Sequence, residues 1–225
     1  AIDASPQQFF HTNTMATWNV IHAGCEVGVQ TFSLCSSSSV YGFWREGQRT
    51  APDYLPIDET HRLRASDAYG LSKRVVEEIG RGFAERKDVS VSILRPCYIA
   101  FDHLLPRMVR CKLGQSEPET SEWQEPMPTF RWVVDPVDLA GCFRLAIEAA
   151  PSFETFNVSA DDTFSWAPTR EHVESVFGHA VPEKKPGWFD SDPFATPLDC
   201  SKAKTLLGWK PRSNWDELCA RTADV

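Results

Sequence analysis

Apolar positions along this chain follow two periods in turn, one helical and one extended, and that alternation predicts the architecture. Ser5-Pro6 can cap and start a helix, because proline is tolerated in a first turn where its missing N–H would have no partner. Phe9, Phe10, Met15, Trp18, Val20 and Ile21 then recur at helical spacing up to Gly28. Val29 to Cys35 reads as a short buried strand, and Ser36 to Gly42 as the loop leaving its C-terminal end. Residues 43–66 carry Pro, Gly, Arg and Asp without a period and predict a long surface loop. Ser66-Asp67 opens a helix running to Arg86, and Val89 to Leu94 forms a strand that meets a breaker at Arg95-Pro96. Further on, the pattern predicts a helix at Leu105–Lys112, a loop at 114–128, a strand at Phe130–Val134, a helix at Pro136–Ala149 and a strand at Thr155–Val158. A helix at Thr169–Phe177, a Pro/Trp-rich link at Val181–Pro197 and a helical region from Ser201 complete the chain. Strands alternating with helices imply an α/β fold whose parallel sheet is covered by helices.

Composition narrows the classes without changing that picture. The chain has 225 residues, 42% hydrophobic and 24% charged, which suits one substantial core with a lobe attached. A net charge of −8 and the lack of a Lys/Arg run argue against a nucleic-acid surface, so no nucleic-acid partner is expected. No apolar run reaches membrane-spanning length, and no membrane association is expected. The seven cysteines are scattered and never spaced as CxxC, which predicts neither a disulfide framework nor a metal site and fits a reducing, cytoplasmic setting.

The densest chemistry lies in Tyr69-Gly-Leu-Ser-Lys73, downstream of Ser36-Ser-Ser-Ser39-Val-Tyr-Gly42. Tyr69 and Lys73, four apart, share one face of a helix, and a neighbouring ammonium favours the phenolate. A hydroxyl from the serine run would hold a substrate oxygen while its proton moves. Together these groups suit oxidation of an alcohol or reduction of a carbonyl. Asp161-Asp162 reads as a turn, because adjacent carboxylates on a loop rarely converge. Gly80-Arg81-Gly82 reads as helix-end flexibility and not as a phosphate loop, since no strand precedes it.

These motifs, in this order, resemble the extended short-chain dehydrogenase/reductase superfamily in its NAD-dependent epimerase/dehydratase branch. The resemblance rests on Asn13-Thr-Met-Ala-Thr17, Cys35-Ser-Ser-Ser-Ser-Val-Tyr-Gly42 and Leu55-Pro-Ile-Asp-Glu59. It continues through Tyr69-Gly-Leu-Ser-Lys73 with Glu77, Leu94-Arg-Pro96, Val134-Asp-Pro-Val-Asp-Leu-Ala140 and Ser201-Lys-Ala-Lys-Thr-Leu-Leu-Gly-Trp-Lys-Pro211. It implies the C-terminal half of a Rossmann-type, doubly wound parallel sheet with a small mixed substrate-binding lobe. The Rossmann portion would be 1–100 with 130–150, its first strands absent, and the lobe 101–129 with 151–225. The family's Gly-rich phosphate turn has no counterpart here, so the chain begins where the fourth helix should.

The resemblance implies a catalytic set of Ser37, Tyr69 and Lys73. It implies NAD or NADP held by Asn13, Ser36, Tyr69, Lys73, Pro96, Cys97 and Tyr98, with Asn13 supporting Lys73, often through water. A sugar, nucleotide-sugar or similar secondary alcohol would meet Ser37, Ser38 and Tyr69. A homodimer through the Asn13 and Tyr69 helices is implied as well. Ser38-Ser39 stand where the family's dehydratases carry Asp-Glu, which favours an epimerase or dehydrogenase over a dehydratase. Cys97-Tyr98-Ile99 departs from the family's usual Asn before Tyr-Gly. The alternative to an enzyme is a truncated, non-catalytic remnant acting as a binding or scaffold protein.

Overall fold

The structure, a computed structural model, describes residues 5–45, 48–87, 89–115 and 129–221. Helix α1 (Pro6–Glu26) opens on a capping box: Ser5 Oγ accepts from the Gln8 N–H and Gln8 Oε1 accepts from the Ser5 N–H. Strand β1 (Thr31–Cys35) leads through a 3-10 turn (Ser38–Tyr41) into a two-residue hairpin pair, β2 (Trp44–Arg45) and β3 (Gln48–Arg49). There follow α2 (Ala68–Lys87), β4 (Ser90–Pro96), β5 (Tyr98–Ile99), α3 (Leu105–Lys112), β6 (Val133–Val134) and α4 (Pro136–Ala149). Strand β7 (Phe153–Val158) and helices α5 (Thr169–Phe177), α6 (Ser201–Leu207) and α7 (Trp215–Ala220) complete the order.

The main sheet runs β1-β4-β7, all parallel, with β4 in the middle. Side chains alternate across it. Phe32, Val91 and Ile93 face α1 and α2, packing with Ile21 and Phe83. Leu94, Phe156 and Val158 belong to the core that includes Leu139, Cys142 and Ala146 of α4. The same parity puts Arg95 and Asn157, paired in register, on the α2 side of the sheet.

Three expectations need correction. A boundary at residue 150 does not hold for the sheet, because β7 lies beyond it and pairs with β4 from Val91↔Phe153 to Pro96↔Val158. The described residues of 43–66 are not simply a surface loop. Phe43, Leu55, Ile57, His61 and Ala65 are buried, and Leu55 and Ile57 bridge in parallel to Glu183 and Leu198. Their apolar side chains show no period because each packs against a distant segment, not along one face. Gly80 is not helix-end flexibility either. It lies inside α2, where a Cβ would stand 2.8 Å from Leu34 Cδ1 and 3.1 Å from Val91 Cγ1, so it lets the helix approach the sheet. Most of the predicted loop at 114–128 lies outside the described residues.

The C-terminal segment is tied back to α4. Asp138 Oδ2 accepts from the Arg212 and Ser213 N–H groups, and Trp209 Nε1 donates to the Asp138 carbonyl. Asp135 caps α4 by accepting from the Val137 N–H, and it also takes bonds from Ser213 Oγ and Arg221. The Val-Asp-Pro-Val-Asp-Leu-Ala and Leu-Gly-Trp-Lys-Pro motifs are therefore two halves of one joint.

Candidate active site

The carboxyl end of β1 and the first turns of α2 meet at the serine loop. Two glycines permit the approach. At Gly70 a Cβ would lie 2.7 Å from Ala65 Cβ and 2.9 Å from the Ser39 carbonyl oxygen. Gly42 has φ +70, and its Cβ would lie 2.4 Å from the Arg64 carbonyl carbon. Asp67 Oδ1 accepts from the Gly70 N–H at 2.8 Å, satisfying one free donor at the start of α2.

Tyr69 and Lys73 share the predicted helix face. The Lys73 ammonium lies 5.7 Å from the Tyr69 ring centroid and donates to the Cys35 carbonyl at 2.9 Å. Tyr69 is 42% exposed. Lys73 is half-buried and makes no other hydrogen bond within the described residues, which leaves donors for a bound ligand. Ser37, two residues beyond Cys35, accepts from the Ser39 N–H at 3.1 Å and donates to Ser39 Oγ at 3.0 Å. The helix pair is thus anchored to the strand end that leads into Ser37.

Two expected ligand contacts are turned elsewhere. Ser36 is 1% exposed, and its hydroxyl points inward to Glu77 Oε1 at 2.6 Å, so its side chain faces away from any cleft. Asn13 makes no direct hydrogen bond to Lys73 among the described residues. Its Nδ2 donates to Ser72 Oγ at 2.9 Å, and Ser72 Oγ donates to the Tyr69 carbonyl at 2.7 Å, so Asn13 braces the helix carrying the pair. Ser38 is buried within the 3-10 turn. Pro96 ends β4, Cys97 is buried, and Tyr98 pairs with Val133 in the short β5–β6 ladder. Burial pushes the Cys97 thiol up to about 12, which makes it a packing residue and not a nucleophile.

Periodicity gave no hint of a second feature. Arg131 precedes β6 at φ 54, and its Nε and Nη1 are buried without a hydrogen-bond partner. Burial lowers its pKa, Cys111 opposes that, and the charges of Arg49 and Arg107 lower it further. Burial likewise holds His172 neutral, with Arg131 and Arg49 adding to the effect, and its ring bonds to the Thr129 carbonyl at 2.9 Å. A desolvated guanidinium among like charges is suited to an anion. The signal available in sequence was only an arginine before a strand.

Asp161 and Asp162 diverge, as expected of a turn: Asp161 pairs with Lys204, while Asp162 accepts from the Trp215 N–H. Among the described residues, no group of His, Cys, Asp and Glu could hold a metal ion, and no helix is long and apolar enough to cross a membrane.

The model of the NAD dependent epimerase/dehydratase family matches residues 3–159. A UDP-glucose 4-epimerase of Streptococcus mutans is 28% identical over 229 residues, covering 92% of this chain and 66% of that protein. One from Bacillus subtilis is 27% identical over 246 residues, covering 96% of this chain and 68% of that protein. The chain thus spans just under two thirds of the length of the Streptococcus mutans enzyme. A short-chain dehydrogenase/reductase superfamily protein from Agrobacterium tumefaciens, solved with bound NAD, superposes with a TM-score of 0.66 at 22% identity. That match covers 99% of this chain and 75% of the other. The UDP-Glc/GlcNAc 4-epimerase of Campylobacter jejuni gives a TM-score of 0.64 at 21% identity, covering 98% and 71%. At these identities the structural likeness establishes a Rossmann-like fold.

Proposed function

Because this chain belongs to the NAD dependent epimerase/dehydratase family, we propose that it is an NAD-dependent epimerase acting on a nucleotide sugar. The observation that carries the reading is the Tyr69–Lys73 pair held against the Cys35 carbonyl beside Ser37. Tyr69 accepts the proton of a sugar hydroxyl and later returns it. Lys73 holds its positive charge beside the Tyr69 ring and offers its remaining donors to a ribose hydroxyl. Ser37 Oγ holds the sugar oxygen while its proton moves. The backbone of Ser36 and of Pro96 to Tyr98 lines the cofactor side. A bound nicotinamide supplies the acceptor and donor of hydride. The unspent donors of Lys73 are the feature of these residues that fits such a cofactor.

Arg131 supports a nucleotide sugar over a free sugar. Its buried, unpartnered nitrogens match the oxygens of a diphosphate, and the ion would relieve the repulsion from Arg49 and Arg107. The UDP-glucose 4-epimerase relatives point the same way. The segments after β7, with those around α3, form the substrate-binding side.

A homodimer through α1 and α2 is part of this reading. Met15 and Trp18 on α1 and Leu71 on α2 are exposed apolar residues. Trp18, Val75, Ile79 and Phe83 line a groove of about 340 Å³ between the two helices. A second copy would cover both.

The test is conversion of UDP-glucose to its 4-epimer in the presence of NAD. Tyr69→Phe is expected to lower kcat by about 10²–10⁴-fold. Arg131→Met is expected to raise KM with a smaller effect on kcat. Full turnover by Tyr69→Phe would refute the assignment.

A further inference from the structure

Resting on the proton-transfer reading above, we infer that Glu77 is the positioning residue of the serine loop. Glu77 lies one turn beyond Lys73 on the same helix face. Lys73 Nζ donates to the Cys35 carbonyl at 2.9 Å, and Glu77 Oε1 accepts from Ser36 Oγ at 2.6 Å. Two successive residues of the strand end are therefore pinned by two successive turns of α2. Ser37 is the next residue, so its direction is set by this double attachment.

The same carboxylate also reaches the far end of the loop. Arg95 donates through Nε to Glu77 Oε1 at 2.8 Å and through Nη2 to Oε2 at 2.7 Å. Its remaining nitrogen, Nη1, donates to Tyr41 Oη at 3.1 Å and to the Glu59 carbonyl at 3.2 Å. Tyr41 Oη in turn donates to Asn157 Oδ1 at 2.6 Å. Ser36 and Tyr41 bracket Ser37, and both are tied to one side chain, the first directly and the second through Arg95.

Glu77 and Arg95 are each 4% exposed, so water does not compete for these bonds. The geometry also separates the charges usefully. Glu77 spends its charge on the bidentate Arg95, leaving Lys73 to act on Tyr69. An ion pair serving stability alone would need no third partner, yet the Ser36 hydroxyl shares Oε1 with Arg95.

The experiment compares backbone hydrogen exchange, by mass spectrometry of peptides, in the wild type, Ser36→Ala and Glu77→Gln. Ser36→Ala removes only the Glu77 bond to the loop and keeps the ion pair, so it remains informative if Glu77→Gln fails to fold. The expected result is about tenfold faster exchange at the loop amides of Ser39, Val40 and Gly42, whose bonds to Ser37 and Ser39 close the turn. Exchange in β4 and β7 stays within about twofold of wild type, because a lost local bond opens only its own segment. In an active preparation, Ser36→Ala also lowers kcat about tenfold with KM unchanged. Loop exchange within twofold of wild type, or an equal rise in the strands, overturns the inference. Exchange needs neither cofactor nor substrate. An inactive wild type would sink the functional reading and leave the loop result standing, whereas a null loop result with turnover intact would sink only this inference.

Discussion

Helix α2 contains three glycines, and the structure gives each a different consequence on conversion to alanine. Ala is favoured over Gly inside a helix by about 0.5–1 kcal/mol, mainly because it restricts the unfolded chain. At Gly82 nothing lies within 4 Å of the new Cβ, so Gly82→Ala should stabilise by that amount. At Gly80 the Cβ would stand 2.8 Å from Leu34 Cδ1, 3.1 Å from Val91 Cγ1 and 3.2 Å from Ile93 Cδ1. These are side-chain ends that can rotate, so overpacking of about 1–2 kcal/mol outweighs the helical gain only slightly. At Gly70 two of the obstacles cannot rotate, the Ser39 carbonyl oxygen at 2.9 Å and the Ala65 Cβ at 2.7 Å. The helix start must then move by about half an ångström from the serine loop, at about 1–3 kcal/mol. The net expectation is a loss of about 1–2 kcal/mol, with a fall in turnover because the start of the Tyr69 helix moves away from the serine loop. Urea unfolding of the three single variants measures the first quantity, and kcat on folded protein the second. Equal shifts at Gly82 and Gly70, or a stabilised Gly70→Ala, would refute the claim that glycine at 70 serves close approach.

Two other predictions concern groups away from the chemistry. Burial raises the Asp162 carboxyl to about 6, with Asp192 and Asp216 adding to the rise and the Trp215 N–H opposing it. The folded state therefore binds a proton between about pH 4 and 6 that the unfolded chain has released, so stability falls as pH rises through that window. Asp162→Asn keeps an acceptor for Trp215, should flatten that slope, and should gain at most about 3 kcal/mol at pH 7; thermal melts across pH 4–8 check it. Under the proposed α1–α2 dimer, Trp18→Glu buries a charge against the second copy, and light scattering should report dimers for the wild type and monomers for the variant.

Much of the architecture was legible because single elements obey local rules. Helices at 105–112, 136–149 and 169–177 begin and end where the sequence predicts, each marked by Pro in or just before its first turn. Strands β1, β4 and β7 stood out as short apolar runs, although their edges differ by a residue or two. The Tyr69–Lys73 face followed from helical spacing alone. The 43–66 segment failed, because Leu55 and Ile57 are buried by residues 182–184 and 197–199, more than a hundred positions away. The inward turn of the Ser36 hydroxyl to Glu77 and of Asn13 to Ser72 was not legible either: a motif names a polar side chain but not the side to which it turns.

The order of residues by itself determined which positions face a core along each element, where elements stop, and that a phenol and an amine share a helix face. These follow from backbone periodicity and capping, which act over a few residues. Only the tertiary structure decided that Glu77, Arg95, Tyr41 and Asn157 form one buried network, and that two buried nitrogens of Arg131 go without a hydrogen bond. Tyr41 and Asn157 are 116 residues apart, and a hydrogen bond between them requires placement to within a few tenths of an ångström. That placement comes from strand register and the packing of helix on sheet, which no local pattern encodes.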